Sequence, residues 1–252
     1  MLFGGRGRGY PKTFGPTSLP NTMIWARVED AQVARSGAEA LSLNDQTSNA
    51  RHFGGSSVGN RPTFNLNDAA FNNRATFTHV MPGSAGYGQW LDCATWSVSP
   101  TPPFAIALVG SHDGTFDNYT AIVDTAVGTQ RRYYVGTVPT SGHLSLYGGS
   151  FLSSTVVAGA PFVMIAQFNG DGSSAIYVNN MTTPVVTGDA GASSGTDFAM
   201  RLGTAAGSQI GGWIGKSAFV AAWNRQLSHA ERNHIAKDTT TSLGPYYGIT
   251  VT

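Results

Sequence analysis

The sequence predicts an all-β domain, and its composition and patterning both support this prediction. The 252 residues include 32 glycines and 12 prolines, and only 12% are charged. Short β-branched and aromatic runs alternate with Gly, Ser, Thr and Asn, which is typical of strands joined by tight turns. The run 162–168 is apolar on both faces, as expected of a strand that lies between two packed layers.

The strand-like runs are spread over most of the chain and are separated by glycine, proline or aspartate turns. The length allows one large β domain or two small ones, and a single domain over residues 22–240 is the simplest organisation. The sequence Asn169-Gly170-Asp171-Gly172 predicts a hairpin turn with glycines where positive φ is needed. The predicted strands cover residues 23–28, 75–80, 104–109, 119–123, 131–135, 143–147, 162–168, 175–179 and 217–223.

A short helix is predicted immediately after the last of these strands. Ser228-x-x-Glu231 forms a capping box, in which the serine hydroxyl accepts from the amide of the third helical residue. The glutamate reaches back to the serine amide, so Glu231 has a structural role that accounts for it fully.

The two ends of the chain lack the periodicity of packed elements. Residues 1–21 hold five glycines, three prolines and three basic residues, which predicts an extended arm. The arm is either a disordered tail or a segment that orders on a neighbouring subunit. Residues 241–252 are predicted to form a last edge strand or a second arm. If the N-terminal arm orders on a neighbouring subunit, its contact residues are Phe3, Arg6, Arg8, Tyr10 and Phe14.

Three groups of residues carry a family resemblance. The first group is W-N-R-x-L-S-x-A-E over 223–231. The second combines W-x-R, D-Q-x-S-N-x-R-H and R-P-T between residues 25 and 63, and the third is Y-V-N at 177–179. All three resemble the laminin G-like, concanavalin A-like domains of tailed-bacteriophage structural proteins. The chain departs from that wording at Leu43-Asn44, where Trp-Ala is common, and at Asn180, where glycine is usual. The resemblance implies a two-sheet antiparallel jelly-roll sandwich with one short C-terminal helix and an extended N-terminal arm.

Charge and cysteine content exclude several classes of protein. The net charge is +1, so no overall field favours nucleic acid. Cys93 is the single cysteine, which excludes an intrachain disulfide. No apolar stretch approaches the length of a membrane span, and the first ten residues lack the apolar segment of a signal peptide. We therefore expect no nucleic-acid or membrane partner and no export through a standard signal.

The sequence motifs that could indicate catalysis lack the neighbouring residues that each reaction requires. Gly55-Ser56-Ser57-Val58-Gly59 matches G-x-S-x-G, but Pro62 follows too closely for the helix that a nucleophile elbow requires. Glycoside hydrolysis needs two facing carboxylates. The chain has only three glutamates, and none has the spacing that concanavalin A-like glucanases use. The protein is therefore predicted to be non-enzymatic.

An acidic loop is the one place where an ion is expected to matter. Asp113 and Asp117 are separated by a glycine-containing turn, so both carboxylates can face one calcium ion, although they also suit plain turn residues. The six histidines show no metal-ligand spacing. No cofactor is expected, and calcium is the single candidate ion.

Aromatic residues near turns and edges are compatible with two functions, since both sugar-binding sites and protein interfaces use them. These residues are Tyr87, Trp90, Tyr119, Tyr133, Tyr134, Tyr246 and Tyr247.

The resemblance and the missing catalytic set together predict a structural protein of a tailed-phage virion, assembled in the host cytoplasm. It would decorate the head or form part of a fibre or tail, as a homo-oligomer bound to other virion proteins such as the major capsid protein. One alternative is a carbohydrate-binding adhesion module that recognises host or environmental glycans. A second alternative is a divergent glycosidase.

Overall fold

The computed structural model describes residues 12–55, 57–80, 88–93, 101–113, 120–125, 133–139, 141–170, 172–192, 199–204 and 211–252. The all-β prediction is confirmed, because strands dominate these residues and helices are few. No helix in the described ranges is long and apolar enough to cross a membrane.

The strands are numbered in chain order. They are β1 (Thr22–Arg27), β2 (Val33–Ser36), β3 (Glu39–Leu43), β4 (Phe53–Gly55), β5 (Thr63–Asp68), β6 (Arg74–His79), β7 (Leu91–Cys93), β8 (Phe104–His112), β9 (Thr120–Asp124), β10 (Tyr134–Thr137), β11 (His143–Tyr147), β12 (Phe151–Val157), β13 (Phe162–Phe168), β14 (Ser174–Val178), β15 (Val186–Gly188), β16 (Met200–Leu202), β17 (Gly211–Gly212) and β18 (Gly215–Trp223). The helices are α1 (His229–Ala236) and α2 (Leu243–Tyr247), with 3-10 turns at Asp30–Gln32 and Ala69–Phe71.

Hydrogen bonding is continuous through the strands, so they form one sheet instead of two separate sheets. One side, here called the first layer, runs in the order β15, β14, β13, β8, β18, with β1 and β6 sharing the far edge of β18. The sheet continues through β5 and β3 into the second layer, which runs β4, β7, β16, β9, β10, β11, β12. All these pairs are antiparallel, and the sheet is nearly closed into a barrel because β12 lies beside β15.

The inner core fills the space that the sheet encloses. Alternate residues of both layers point into it, among them Ile106 and Met164 from the first layer and Leu91 and Leu146 from the second. Three large rings form its centre: Phe104 stacks on Phe168 with centroids 4.6 Å apart, and Tyr133 meets both rings edge-on. The two layers are held together mainly by burial of this apolar surface.

A second, outer core covers the other face of the first layer. Trp25, Val163 and Trp223 point into it, so the strands that carry them are buried on both faces. The prediction that residues 162–168 form such a strand is confirmed by β13, whose seven residues are all buried. The layer that packs on this face consists of α1, α2 and the segment that holds Phe14 and Leu19.

The capping box at the start of α1 is confirmed. The Ser228 hydroxyl accepts from the amide of Glu231, and the Glu231 carboxylate accepts from the amide of Ser228. Arg225 adds an ion pair to the same carboxylate. Burial acts to raise the pKa of Glu231, but the hydrogen bonds from Arg225 and Ser228 hold it below its usual value. This fixed turn sets the direction in which α1 crosses the outer core.

The hairpin between β13 and β14 has the predicted turn, with positive φ at Gly170 and Gly172. After β14, Asn179 adopts the left-handed conformation, at φ 52°. The position at which the resembling domains usually have glycine is one residue later, at Asn180. Asn179 is held there because its side chain accepts a hydrogen bond from the amide of Val163.

The described parts of both predicted terminal segments differ from their predictions. Phe14, predicted as an anchor on a neighbouring subunit, is instead buried in the outer core of its own chain, with its ring 4.2 Å from that of Trp25. Residues 243–247 form a helix instead of an edge strand, and its Leu243 and Tyr247 are fully buried. Packed structure thus extends beyond residues 22–240 on both sides, because the first layer needs both segments to cover its outer face. Phe3, Arg6, Arg8 and Tyr10 lie outside the described residues.

Candidate functional site

One row of side chains crosses the second layer on the face turned away from the inner core. Directly paired residues of antiparallel strands project to the same face. The strand register pairs six such residues in succession, from β7 to β12. We call this set the transverse row. Its members, in spatial order, are Asp92, Arg201, Asp124, Tyr134, Tyr147 and Phe151.

The charged end of the row is built on β7 and β16. The guanidinium of Arg201 donates to both carboxylate oxygens of Asp92, through Nε to Oδ1 and through Nη2 to Oδ2. The indole Nε1 of Trp90 donates to Oδ2 of the same carboxylate at 3.1 Å. The Arg201 guanidinium carbon lies 5.3 Å from the centre of the Trp90 ring. An aromatic ring, a carboxylate and a guanidinium thus share one small surface, and each fixes the position of the others.

The aromatic end of the row lies on β10, β11 and β12. The rings of Tyr147 and Phe151 are 4.7 Å apart, and Phe151 lies 6.0 Å from Tyr134. The Tyr134 hydroxyl shares its one proton between the backbone oxygens of Thr120 and Thr137, which fixes the ring against the sheet. Cross-strand aromatic pairs of this kind stabilise the sheet as well as forming a surface.

Access differs along the row. Asp124 and Tyr134 at its centre are fully buried. At the charged end, the side chains of Arg201 and Asp92 are 25% and 32% exposed, and at the aromatic end Phe151 is 37% exposed. Five strand spacings separate β7 from β12, which places the two accessible ends roughly 24 Å apart.

The loop motif D-Q-x-S-N-x-R-H has a structural role. The buried Asp45 carboxylate accepts four hydrogen bonds, from the amides of Trp25, Thr47 and Arg51 and from the Thr47 hydroxyl. Four charge-assisted bonds on one carboxylate fix the loop tightly. Gln46 also holds the loop against β1. Its side-chain oxygen accepts from the Trp25 indole, and its backbone N–H donates to the Trp25 carbonyl.

Asn49 and Arg51 of the same motif donate to the carbonyl of Met23. β18 pairs with one edge of β1, and these bonds satisfy a backbone carbonyl on the other edge. A surface depression of about 310 Å³ lies beside them. Its lining is polar apart from Met23 and consists of Asn21, Thr22, Asn49, Arg51 and Asn224.

A third surface lies where α2 meets the hairpin of β5 and β6. The Tyr246 ring has the guanidinium carbons of Arg27 and Arg74 at 4.2 and 4.1 Å from its centre. Its hydroxyl donates to the Glu29 carboxylate at 2.9 Å. Burial is the main cause that raises the pKa of Tyr246, and the Glu29 charge adds to it. The phenol therefore stays protonated and keeps donating to Glu29 at neutral pH.

The predicted calcium site receives no second ligand in the described part of the chain. Asp113 is half exposed, and the carboxylate lies 3.9 Å from the His112 ring. Asp117 lies outside the described residues. Within those residues, no group of three or more His, Cys, Asp or Glu side chains is placed to hold a metal ion.

A serine and a histidine form a close pair inside the molecule. Nε2 of His79 lies 2.7 Å from the Ser217 hydroxyl, and Nδ1 lies 3.0 Å from the carbonyl of Gln89. Both side chains are fully buried, and burial lowers the pKa of His79 to about 4. The geometry resembles that of an activated nucleophile, but the pair is enclosed and offers no surface to a substrate.

The other predicted candidates have structural positions. Ser57 lies in a loop that precedes no helix, and Cys93 is buried in the inner core. Of the aromatic candidates, Tyr133, Tyr134 and Tyr247 are buried, Trp90 and Tyr246 are partly exposed, and Tyr87 and Tyr119 lie outside the described residues.

Several solved structures share this fold. Domain 4 of a GH43 extracellular arabinanase from Geobacillus stearothermophilus, solved with arabinotriose, matches with a TM-score of 0.57 and 12% identity over 88% of this chain and 98% of that one. A Trypanosoma rangeli sialidase with sialic acid matches with a TM-score of 0.53 and 10% identity, over 86% of this chain and 33% of the sialidase.

The binding domain of botulinum neurotoxin serotype D/C matches with a TM-score of 0.56 and 12% identity, over 84% of this chain and 51% of that domain. A related toxin domain was solved with SialylT. No family model and no curated protein sequence matches this chain. At such low identities, the likeness describes the fold alone.

Sequence reasoning missed the transverse row. Asp92 and Arg201 are 109 positions apart, and nothing local marks them as partners. The local indication was present but short: in Leu91-Asp92-Cys93 and Met200-Arg201-Leu202 a charged residue stands between two apolar ones, which marks the outward position of a strand.

Proposed function

We propose that this protein is a non-enzymatic glycan-binding domain, and that the accessible ends of the transverse row are its binding face. The observation that carries the proposal is the charged end, where the partly exposed Trp90 ring stands beside the bonded Asp92 and Arg201 pair. Solved structures with the same fold that contain bound sugars are compatible with this choice, although a toxin domain of this fold was also solved with the protein synaptotagmin II.

The chemistry of sugars suits this surface. A sugar ring has an apolar C–H face that packs on an aromatic ring and a rim of hydroxyls that both donate and accept. Sites for such ligands combine apolar walls with a few fixed polar groups. At the charged end, the Asp92 carboxylate offers acceptors and the Arg201 guanidinium offers donors, held at fixed positions by their mutual bonds. At the aromatic end, Phe151 and Tyr147 offer a second stacking surface.

The proposal excludes hydrolysis at this face. Retaining and inverting glycosidases hold two carboxylates across one glycosidic bond. In the row, Asp92 is bonded to Arg201, and Asp124 is fully buried. Incubation with neutral and acidic polysaccharides is expected to release no reducing ends, and turnover abolished by Asp92→Asn would overturn this part of the proposal.

The jelly-roll relationship and the virion role stay predictions that rest on the family resemblance. A glycan-binding domain on the surface of a phage particle would unite both functions. Antibodies raised against the domain and used to label purified particles would test the location, and labelling of host cells alone would exclude it.

The test of glycan binding is a glycan array followed by calorimetry on the ligands found. Trp90→Ala is expected to weaken binding at least tenfold, because it removes the stacking surface and a hydrogen bond to Asp92. Val157→Ala is a matched control, since Val157 is 52% exposed on β12 but lies outside the row. Binding that is unchanged in Trp90→Ala and in Phe151→Ala, with both variants folded, would contradict the proposed face.

A further inference from the structure

A second surface depression, of about 230 Å³, contains no residue of the transverse row in its lining. It is formed by the end of β1, the turn between β5 and β6, and α2. Its size is below the roughly 300 Å³ at which pockets for drug-sized ligands begin. Its lining combines apolar, amide and charged side chains and consists of Val28, Glu29, Asp30, Leu66, Asn67, Asn73, Arg74, Ala75 and Tyr246.

Leu66 supplies exposed apolar surface to this depression, at 48% exposure. Val28 and Ala75 also line the depression, but they are buried, at 1% and 7% exposure. An apolar side chain among a few fixed polar groups is a common property of ligand sites.

The backbone conformation fixes the position of asparagine side chains at this depression. Asn73 follows Asn72, and both adopt the left-handed conformation at φ 55°, which costs free energy for any residue except glycine. Asn72 has a structural reason for it, since its side chain donates to the Tyr246 carbonyl. The side chain of Asn73 makes no hydrogen bond to the described residues, and neither does that of Asn67. Both are exposed at the rim.

The carboxylates of the depression already have partners. Glu29 accepts from the Tyr246 hydroxyl and lies 3.8 Å from Arg27, while Asp30 is paired with Arg35. Arg74 packs over the Tyr246 ring. A cationic ligand would have to compete with Arg27 and Arg35, and an anionic ligand would face two carboxylates against the one guanidinium in the lining. An uncharged ligand that offers hydroxyls to amides and carboxylates, and an apolar face to Leu66, breaks none of these pairs.

We propose that this depression is a second binding site, which takes one ring of a neutral, hydroxyl-rich ligand such as an uncharged monosaccharide unit. Asn67 and Asn73 donate to and accept from its hydroxyls, Glu29 accepts, and Leu66 packs on its apolar face. The proposal does not depend on the transverse row, because the two surfaces share no residue.

The test is titration of the ¹⁵N-labelled protein with neutral monosaccharides and disaccharides, followed by NMR. The side-chain amide signals of Asn67 and Asn73 are expected to shift in the millimolar range. In the double variant Asn67→Ala/Asn73→Gly, binding is expected to weaken at least tenfold. Glycine accepts the left-handed conformation of residue 73, so the fold is preserved.

Asn21→Gly is the matched control, since Asn21 is also left-handed, at φ 60°, and lies away from the depression. Shifts of the backbone amides of Leu66 and Ala75 that persist in Trp90→Ala and disappear in the double variant would support the second site. Shifts confined to Trp90 and its neighbours would overturn the second site and leave the proposed function standing. Shifts at the depression alone would support the second site and leave the transverse row to be tested by the glycan array. No shift with any of these sugars would overturn the second site.

Discussion

The outer faces of the two layers differ in burial and in side-chain chemistry. The outer face of the first layer is covered by two helices and the segment around Phe14, so its side chains are apolar and buried. The outer face of the second layer carries the transverse row, whose ends are polar or aromatic and partly exposed. The difference in side-chain chemistry separates a stabilising face from a candidate binding face.

The sharpest test of this contrast is Trp223→Ala on the first layer. Trp223 is fully buried in the outer core, and truncation of a buried Trp costs roughly 3–5 kcal/mol of unfolding free energy. Chemical denaturation of the variant and the wild type measures the loss. An unchanged midpoint would mean that the outer core does not stabilise the fold.

The segment around Phe14 offers a second test. Phe14 packs on Trp25 and Phe219 and is 3% exposed, so Phe14→Ala is expected to cost about 3 kcal/mol. Deletion of residues 1–20 should destabilise the domain similarly, whereas deletion of residues 1–11 leaves Phe14 in place. Thermal unfolding of the two truncated chains separates the cover of the first layer from the residues that precede it.

The inner core should make stability depend on pH. Burial lowers the pKa of both His79 and His112 to about 4. Both histidines are neutral in the folded protein, while the unfolded chain binds protons near pH 6.5. Stability is thus fully present above pH 6.5 and is lost as the pH falls towards 4. The melting temperature of His79→Asn should fall less steeply across this range than that of the wild type. Equal slopes would mean that His79 does not contribute.

The smallest expected change in stability is on the second layer. Asp92→Asn breaks a partly exposed ion pair, and such pairs contribute about 1 kcal/mol or less. The same variant should weaken glycan binding, because the carboxylate is lost from the charged end. Denaturation and calorimetry on one preparation give both values. A loss of several kcal/mol would assign Asp92 to the framework of the fold instead of the binding face.

Patterns that are local in sequence predicted local structure well. The all-β class, the doubly buried strand β13 and the capping box at Ser228 follow from residues close together in the chain. The role of Phe14 could not be predicted in this way, since a single Phe among glycines and prolines has no periodicity. Its position depends on Trp25 and Phe219, and Phe219 is about two hundred positions away. The helix α2 was missed because Pro245 and Gly244 lower the helical propensity of a five-residue segment.

The candidate site was missed for a related reason. Each member of the transverse row stands on a different strand, and the register that aligns them is set by the whole sheet. Trp90 was identified as a candidate for sugar stacking, but its partners Asp92 and Arg201 become visible only once β7 and β16 are paired.

The C-terminal residues pack on the first layer, so they lie on the opposite face of the molecule from the transverse row. Thr252 is bonded to Asn179, beside the outer core, and the inner core lies between this point and the transverse row. A tether attached at Thr252 would therefore hold the domain with its row directed away from the support. Immobilisation through this end on a sensor surface would present the row to ligands in solution, whereas coupling through exposed positions on β12 would hide it.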